Sequence, residues 1–324
     1  MIEPDCTELI FALRESVKRN ECKALLLSGG LDSSILAYIL RPRQTFTVAW
    51  DNQAPDLPYA RLVAHKYNTD HSELILSNKK DLFHILRAVI RGLKTFSPID
   101  IRNSSVVYIG IMNAKKQGLS EIMTGDGGDE LFAGYNYLNR YFMDINRLDI
   151  ELRRLWDIMR FSSINLAKAL DIEIKMPFLD DEFVTYAKSV DPAKKIGKFS
   201  GKMWGKFLLR KCFLEKLGYQ IVWRPKLAQE EGAATVNLKN FLETQFNDIS
   251  FGSRAARARA EGVIVRDKEH LYYYDTFRNY FPPPGEEDFS DARCPGCNGC
   301  VLPKTKYCRI CGAFPISPNY RSRN

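Results

Sequence analysis

The sequence predicts an α/β fold: a doubly wound parallel sheet with a helical half and a small cysteine-rich module near the C-terminus. Four short apolar runs, Lys23–Ser28, Thr45–Trp50, His71–Leu76 and Glu121–Thr124, have the character of buried parallel strands. Segments with helical spacing, such as Tyr59–Tyr67 and Asp81–Leu93, separate them, and strands that alternate with helical crossovers build a parallel sheet. Five of the eight cysteines, Cys294, Cys297, Cys300, Cys308 and Cys311, crowd into the C-terminal region and mark a separate unit.

The first strand ends in Ser28-Gly29-Gly30-Leu31-Asp32-Ser33-Ser34 and runs on into an apolar helix. Two glycines let the backbone turn tightly and approach a ligand, and the serine hydroxyls join the free N–H groups of a helix N-terminus. A polyphosphate suits that cradle. Asp32 would repel phosphate directly, so its expected work is to hold the Mg²⁺ that neutralises it. A lone Gly-Gly between strand and helix would be equally well explained as a tight turn, and the full seven-residue string is what favours the cradle. The fourth strand ends in Thr124-Gly125-Asp126-Gly127-Gly128-Asp129-Glu130-Leu131-Phe132-Ala133-Gly134-Tyr135, where three carboxylates share a glycine-rich turn. Parallel sheets bind ligands at the carboxyl ends of their strands, so both loops are expected at one crevice.

From about Phe142 to Gln245 the pattern is mostly helical, with Tyr137–Met159 and Met203–Leu217 the clearest segments. The chain then turns basic and irregular. Ser253–Arg259 carries an arginine cluster that reads as a solvated helix face, Pro282-Pro283-Pro284-Gly285 marks a linker, and the tail Arg321–Asn324 is expected to be disordered. The expected division is a main domain over 1–245, a basic connector over 246–290, the cysteine module over 291–318 and a tail over 319–324.

The chain has 324 residues and a net charge of +8, with room for one large domain and a small module. That charge is compatible with nucleic acid and equally with an enzyme that gathers ATP and acidic substrates. It contains no secretory leader pattern and no run of about 18 apolar residues, so it reads as a soluble cytoplasmic protein. Cys6, Cys22 and Cys212 are scattered and are expected to be small, reduced core residues.

The Ser28–Ser34 string resembles the pyrophosphate loop of the ATP pyrophosphatase superfamily, which cleaves ATP between its α- and β-phosphates to adenylate a substrate. Paired with the Thr124–Tyr135 loop, it resembles the synthetase domain of glutamine-hydrolysing asparagine synthetases. Ile101–Ser104, Ile172–Asp180, Gly205–Arg210 and Trp223–Lys226 continue the resemblance in the family's order, across residues 20–245. It implies an adenine nucleotide hydrolase-like fold and an AMP-forming amide ligase that uses ATP and Mg²⁺.

Residue by residue, the resemblance implies that Ser28, Gly29, Gly30, Ser33 and Ser34 bind pyrophosphate, with Gly125 also at the nucleotide. Asp32 and Asp129 hold Mg²⁺. Lys206 and the catalytic Lys226 stabilise charge growing on the α-phosphate. Asp126 receives a proton from ammonium or orients ammonia. Arg102 pairs with a substrate carboxylate. Leu27 and Val48 approach the adenine, although each is equally explained as core.

Two departures stand out. These synthetases begin with a glutaminase domain, whereas residues 1–22 are all that precede the first strand here, so the chain is expected not to hydrolyse glutamine by that route. Free ammonia, a separate glutaminase subunit or an amine on another substrate would then supply the nitrogen. Ile99 also stands before Arg102 where these synthetases commonly carry threonine, which leaves the carboxylate open between aspartate and other small molecules.

Cys294-x-x-Cys297 and Cys308-x-x-Cys311 form two knuckles suited to tetrahedral Zn²⁺ and resemble the zinc-ribbon family, with Cys300 able to replace Cys294. So short and apolar-poor a segment needs a structural metal to fold. A rival reading makes the chain a tRNA-modifying enzyme that adenylates a base, with the ribbon and Arg254, Arg257 and Arg259 gripping RNA. Against it, Cys22 and Cys212 form no evident catalytic pair, and Asp32, Asp129 and Lys226 also argue against a degenerate scaffold.

Overall fold

The computed structural model describes residues 4–77, 81–245 and 247–320. Its centre is a five-stranded, wholly parallel sheet of order β3-β2-β1-β4-β5, built from β1 (Ala24–Leu26), β2 (Gln44–Ala49), β3 (Asp70–Ile75), β4 (Glu121–Met123) and β5 (Glu173–Lys175). The doubly wound α/β expectation is met. Strand order reverses between β1 and β4, so the chain segments leaving these two strands diverge and open a crevice at their carboxyl ends.

The helices that precede and follow these strands are α1 (Pro4–Arg19), α2 (Leu31–Leu40), α3 (Leu57–Tyr67), α4 (Leu82–Leu93), α5 (Pro98–Lys116), the single turn α6 (Gly128–Leu131), α7 (Ile145–Ile158) and α8 (Ser162–Leu170). Successive side chains of a strand point to opposite faces. Ala24 and Ile122 therefore enter one core with α4, α5 and α8, while Leu25 and Met123 enter another with α1 and α2.

Beyond the sheet lie α9 (Asp181–Ser189), a hairpin of β6 (Ile196–Phe199) and β7 (Lys202–Gly205), α10 (Phe207–Leu217), α11 (Tyr219–Val222), α12 (Gln229–Gly232) and α13 (Asn237–Glu243). The expected helix over Tyr137–Met159 is instead a 3-10 turn, Asn136–Tyr141, followed by α7, whose N-cap Asp144 accepts from Arg147 N at 3.0 Å. The expected helix over Met203–Leu217 starts only at Phe207, because Met203 and Trp204 pair with Lys198 and Gly197 across the hairpin.

The arginine cluster lies on α14 (Asp248–Ala260), where Arg254 and Arg257 both reach Asp275 of α15 (Lys268–Arg278). α15 packs against α4 and α5, and its Tyr273, Tyr274 and Phe277 share a buried cluster with the sheet's α5 face and the cysteine module. That module is framed by β8 (Ala292–Arg293) and β9 (Asn319–Tyr320), which pair antiparallel. The tail from Arg321 lies outside the described residues.

One cysteine expectation is overturned. Cys6 and Cys212, 206 residues apart, form a disulfide that ties α1 to α10, because both side chains point into the same core between these helices. Cys22 alone of the three is a free buried thiol.

Candidate active site

β1 delivers Ser28–Ser34 to the crevice, and β4 delivers Thr124–Tyr135 to the same place. Gly29 has φ +68°, and a Cβ there would lie 2.4 Å from Ala60 N, so both conformation and space require glycine. Ser28 Oγ and Ser33 Oγ are 3.1 Å apart, and Gly30 N donates to Ser28 Oγ at 3.2 Å. Gly30 caps α2 without any side-chain acceptor, and the Ser34 hydroxyl is buried without a partner. Those donors leave an anion-accepting cradle over the helix N-terminus.

The second loop comes within contact of the first. A Cβ on Gly128 would lie 2.6 Å from Asp32 Cγ, so this glycine permits α6 to bring Asp129 beside Asp32. Lys206, at the end of the β6–β7 hairpin, bonds the Asp32 carboxylate and lies 2.7 Å from Asp129 Oδ1, and Lys226 binds the other Asp129 oxygen. Two carboxylates and two ammonium groups from four separate segments thus meet in a cluster in which Lys206 is buried and the other three are partly exposed. Burial would raise the Asp129 pKa, but Lys206 and Lys226 hold it down at about 2. Burial raises that of Asp32, with Lys206 opposing. Burial and the neighbouring Lys206 charge lower that of Lys226.

Asp32 Oδ1 is buried with no hydrogen-bond partner. An orphaned carboxylate oxygen beside a second carboxylate is a donor set that suits a hard divalent ion. Two carboxylates are too few for the six oxygens Mg²⁺ takes, so a bound Mg²⁺ would need further oxygens from a ligand and water.

The crevice has a volume of about 260 Å³. The Ser28–Ser33 loop, Asp129, Lys206 and Lys226 line it, while Leu26, Leu27, Phe46, Val48, Val106 and Val107 supply an apolar wall. Asp126, also in the lining, accepts from Thr124 Oγ1 at 3.0 Å and Ser163 Oγ at 2.5 Å. Burial raises the Asp126 pKa, so this carboxyl is a better proton acceptor than an exposed aspartate.

Sequence reasoning gave no role to several groups here. Arg224 binds Asp56 at 2.5 Å and lies 4.0 Å over the Tyr59 ring, and together with Arg210 it lines the crevice. Both arginines sit inside motifs the sequence displays, Gly205–Arg210 and Trp223–Lys226, which was the available signal. Arg102, in contrast, lies outside the lining: it pairs with Glu230 at 2.6 Å and Glu269 at 2.8 Å. Ile99 is about half exposed, at 48 %, on the first turn of α5.

In the cysteine module, Cys294, Cys297, Cys308 and Cys311 gather with all four sulfurs within 4.8 Å of one another. The Cys294–Cys311 and Cys297–Cys308 sulfur pairs are each 3.7 Å apart. Four thiolates around Zn²⁺ sit about 3.8 Å apart, given a Zn–S length near 2.3 Å, so the cluster fits that ion. Cys300 points away, its thiol donating to Glu287 O at 3.1 Å, which selects Cys294 for the set.

The sequence matches the Asparagine synthase family over residues 9–162 and 157–282. It is 32% identical to the asparagine synthetase (glutamine-hydrolyzing) of Bos taurus over 282 residues, covering 79% of this chain and 48% of that protein. For the Gallus gallus enzyme of the same description the figures are 30% over 296 residues, with 84% and 51% covered. Asparagine synthetase B of Escherichia coli (strain K12) is 29% identical over 305 residues, covering 86% and 54%. The chain spans about half the length of these curated relatives.

Proposed function

Because the chain belongs to the asparagine synthase family, we propose that it is an ATP-dependent, AMP-forming amide ligase that adenylates the side-chain carboxylate of aspartate for attack by ammonia. The observation that carries this reading is the convergence of Asp32, Asp129, Lys206 and Lys226 between two glycine-rich loops beside an apolar pocket wall.

ATP enters with its adenine against Leu27 and Val48 and its β- and γ-phosphates on Ser28, Gly29, Gly30, Ser33 and Ser34, with Gly125 alongside. A carboxylate oxygen attacks the α-phosphorus, the bond from that phosphorus to the bridging oxygen breaks, and pyrophosphate leaves. Lys226 and Lys206 stabilise the charge that grows on the phosphoryl oxygens. Asp32 and Asp129 would hold Mg²⁺, which when bound neutralises the phosphates and the departing pyrophosphate. Ammonia then attacks the acyl carbon, the bond to AMP breaks, and Asp126 accepts the proton released from nitrogen. The raised pKa of Asp126 favours that acceptance.

Cys294, Cys297, Cys308 and Cys311 would hold a structural Zn²⁺ whose four positions are filled by protein, leaving none for substrate. RNA modification gains no support. Arg254 and Arg257 of the basic cluster are committed to Asp275. No described helix is long and apolar enough to cross a membrane.

The test is pyrophosphate release from Mg-ATP with aspartate and ammonium, beside Asp126→Asn. Unaltered protein should yield AMP, pyrophosphate and asparagine. Asp126→Asn should still adenylate aspartate, seen as ATP–pyrophosphate exchange, while amide formation falls roughly 100-fold or more. A protein that binds ATP but releases no pyrophosphate with any small carboxylic acid would remove the proposal.

A further inference from the structure

The first turn of α5 is gripped by the far end of the chain. Thr95 Oγ1 donates to Arg309 O at 2.7 Å and Phe96 N to Ile310 O at 2.8 Å. The Tyr307 hydroxyl lies 2.8 Å from both Ser97 Oγ and Asp100 Oδ2. These partners belong to the second cysteine knuckle or adjoin it. Gly312 packs so closely that a Cβ there would lie 2.5 Å from Ser97 Oγ. α15 holds the same turn from another side: the buried Phe96 ring stacks on His270 at 5.4 Å and meets Tyr274 and Phe277 edge-on at 5.0 and 5.2 Å.

The next group along α5 is Arg102, which joins three elements. Its Nε donates to Glu230 Oε2 at 2.6 Å, and its Nη1 donates to Glu269 Oε2 at 2.8 Å. Glu269, on α15, is 1 % exposed and also accepts from Tyr273 at 3.0 Å. Glu230 lies on α12, in the segment that begins Arg224-Pro225-Lys226, and Gln229 Nε2 in the same segment donates to Asn103 O at 3.2 Å. At its other edge this segment is tied to the sheet domain by Arg224–Asp56, Gly232 O to Asp56 N, and Ala233 O to Trp50 N.

We propose that Glu269 and Tyr307 are positioning residues for Lys226. The cysteine knuckle and α15 fix the first turn of α5, and Arg102 carries that position to the segment 224–236. The C-terminal module is then a supporting part of the ligase site and not an independent binding unit. The kinetic half of this inference rests on the proposed ligase reading, and the structural half does not. Arg102, shared by the buried Glu269 and the partly exposed Glu230, loses a charge-assisted anchor when Glu269 is neutralised, and Glu230 is then held from a freer turn. Displacing a catalytic group by about 1 Å costs on the order of 100-fold in rate.

Glu269→Gln and Tyr307→Phe keep shape; the first removes the charge that holds Arg102, and the second removes the hydroxyl's contacts with Ser97 and Asp100. Backbone hydrogen exchange is followed by mass spectrometry, with zinc content, kcat and the KM values for ATP and aspartate measured on the same samples. Both variants should exchange faster over 97–103 and also over 224–236, with kcat down roughly tenfold or more, the ATP KM within about twofold, and zinc content unchanged. The double variant should be no slower than the worse single one, as expected of residues on one path. Glu269→Gln lies outside the knuckle and remains a test if Tyr307→Phe loses its metal. Exchange over 224–236 equal to that of the unaltered protein, with or without a loss of activity, overturns the inference. Faster exchange there in a protein without ligase turnover supports it, while removing the function proposed above.

Discussion

The crevice and the cysteine module each gather groups that suit a divalent ion, but in opposite electrostatic states. In the crevice, Lys206 and Lys226 already neutralise Asp32 and Asp129, so the chain folds around that cluster with its charges matched. In the module, each sulfur of the four-cysteine cluster faces other sulfurs, and the surrounding segment buries few apolar side chains of its own. On the proposed reading, the difference separates an ion that would arrive with substrate from one that would belong to the fold. A site visited in each turnover would have to stay assembled without its ion, and lysines paired with the carboxylates meet that need. A site never vacated can let the metal be its core.

The largest effect should come from breaking the module. Structural Zn²⁺ in small modules contributes on the order of 10 kcal/mol. Cys311→Ser should lose the metal and open residues 291–318 to proteolysis, whereas Asp32→Asn should leave proteolytic resistance intact. Equal resistance in both variants would erase the distinction between the two centres.

Next in size is Lys226→Met. The rate of pyrophosphate release should fall about 100- to 1,000-fold. Thermal stability should fall as well, because Asp32 and Asp129 then share the single charge of Lys206. The pH profile sharpens the point. Burial and Lys206 lower the Lys226 pKa, so the needed ammonium is present below that value and lost as pH rises through it. The alkaline limb of kcat should therefore fall below the ordinary lysine value of 10.5, and Lys226→Arg should remove that limb from whatever activity it retains. An alkaline limb unchanged by the arginine would assign it to another group.

Cys300→Ser should have the smallest effect. Its thiol bonds Glu287 O and Ser290 O outside the four-sulfur cluster. Zinc content should remain at one per chain, with a stability change of about 1 kcal/mol or less. Loss of metal would return Cys300 to the ligand set.

Both loops were legible because their chemistry restricts composition. The left-handed turn at Gly29, pressed against Ala60, admits only glycine, and three carboxylates in one glycine-rich turn are too costly to be accidental in a crevice. β1, β2 and β4 were legible for the same kind of reason, since burial on both faces favours continuous apolar runs, whereas the edge strand β3 buries only Leu74. β5 was not, because Glu173-Ile174-Lys175 is too short and too charged to announce a strand and is one only through pairing with β4. Met203 and Trp204 carry helical spacing yet pair as a strand, local preference yielding to the hairpin partner. Arg102 was read as a substrate group from its motif alone. Glu230 and Glu269, 128 and 167 residues away, form its surroundings.

By itself the sequence determined the parallel α/β sheet, the glycine- and serine-rich turn after the first strand, the acidic loop and the two cysteine knuckles, because in each the requirement falls on residues close together in the chain. Only the tertiary structure decided that Lys206 and Lys226 neutralise the aspartates, that Cys294 and not Cys300 completes the cluster, that Cys6 meets Cys212, and that the module grips α5. Those outcomes depend on groups brought together from distant segments, and spacing along a chain carries no record of which distant side chain will fill the remaining space.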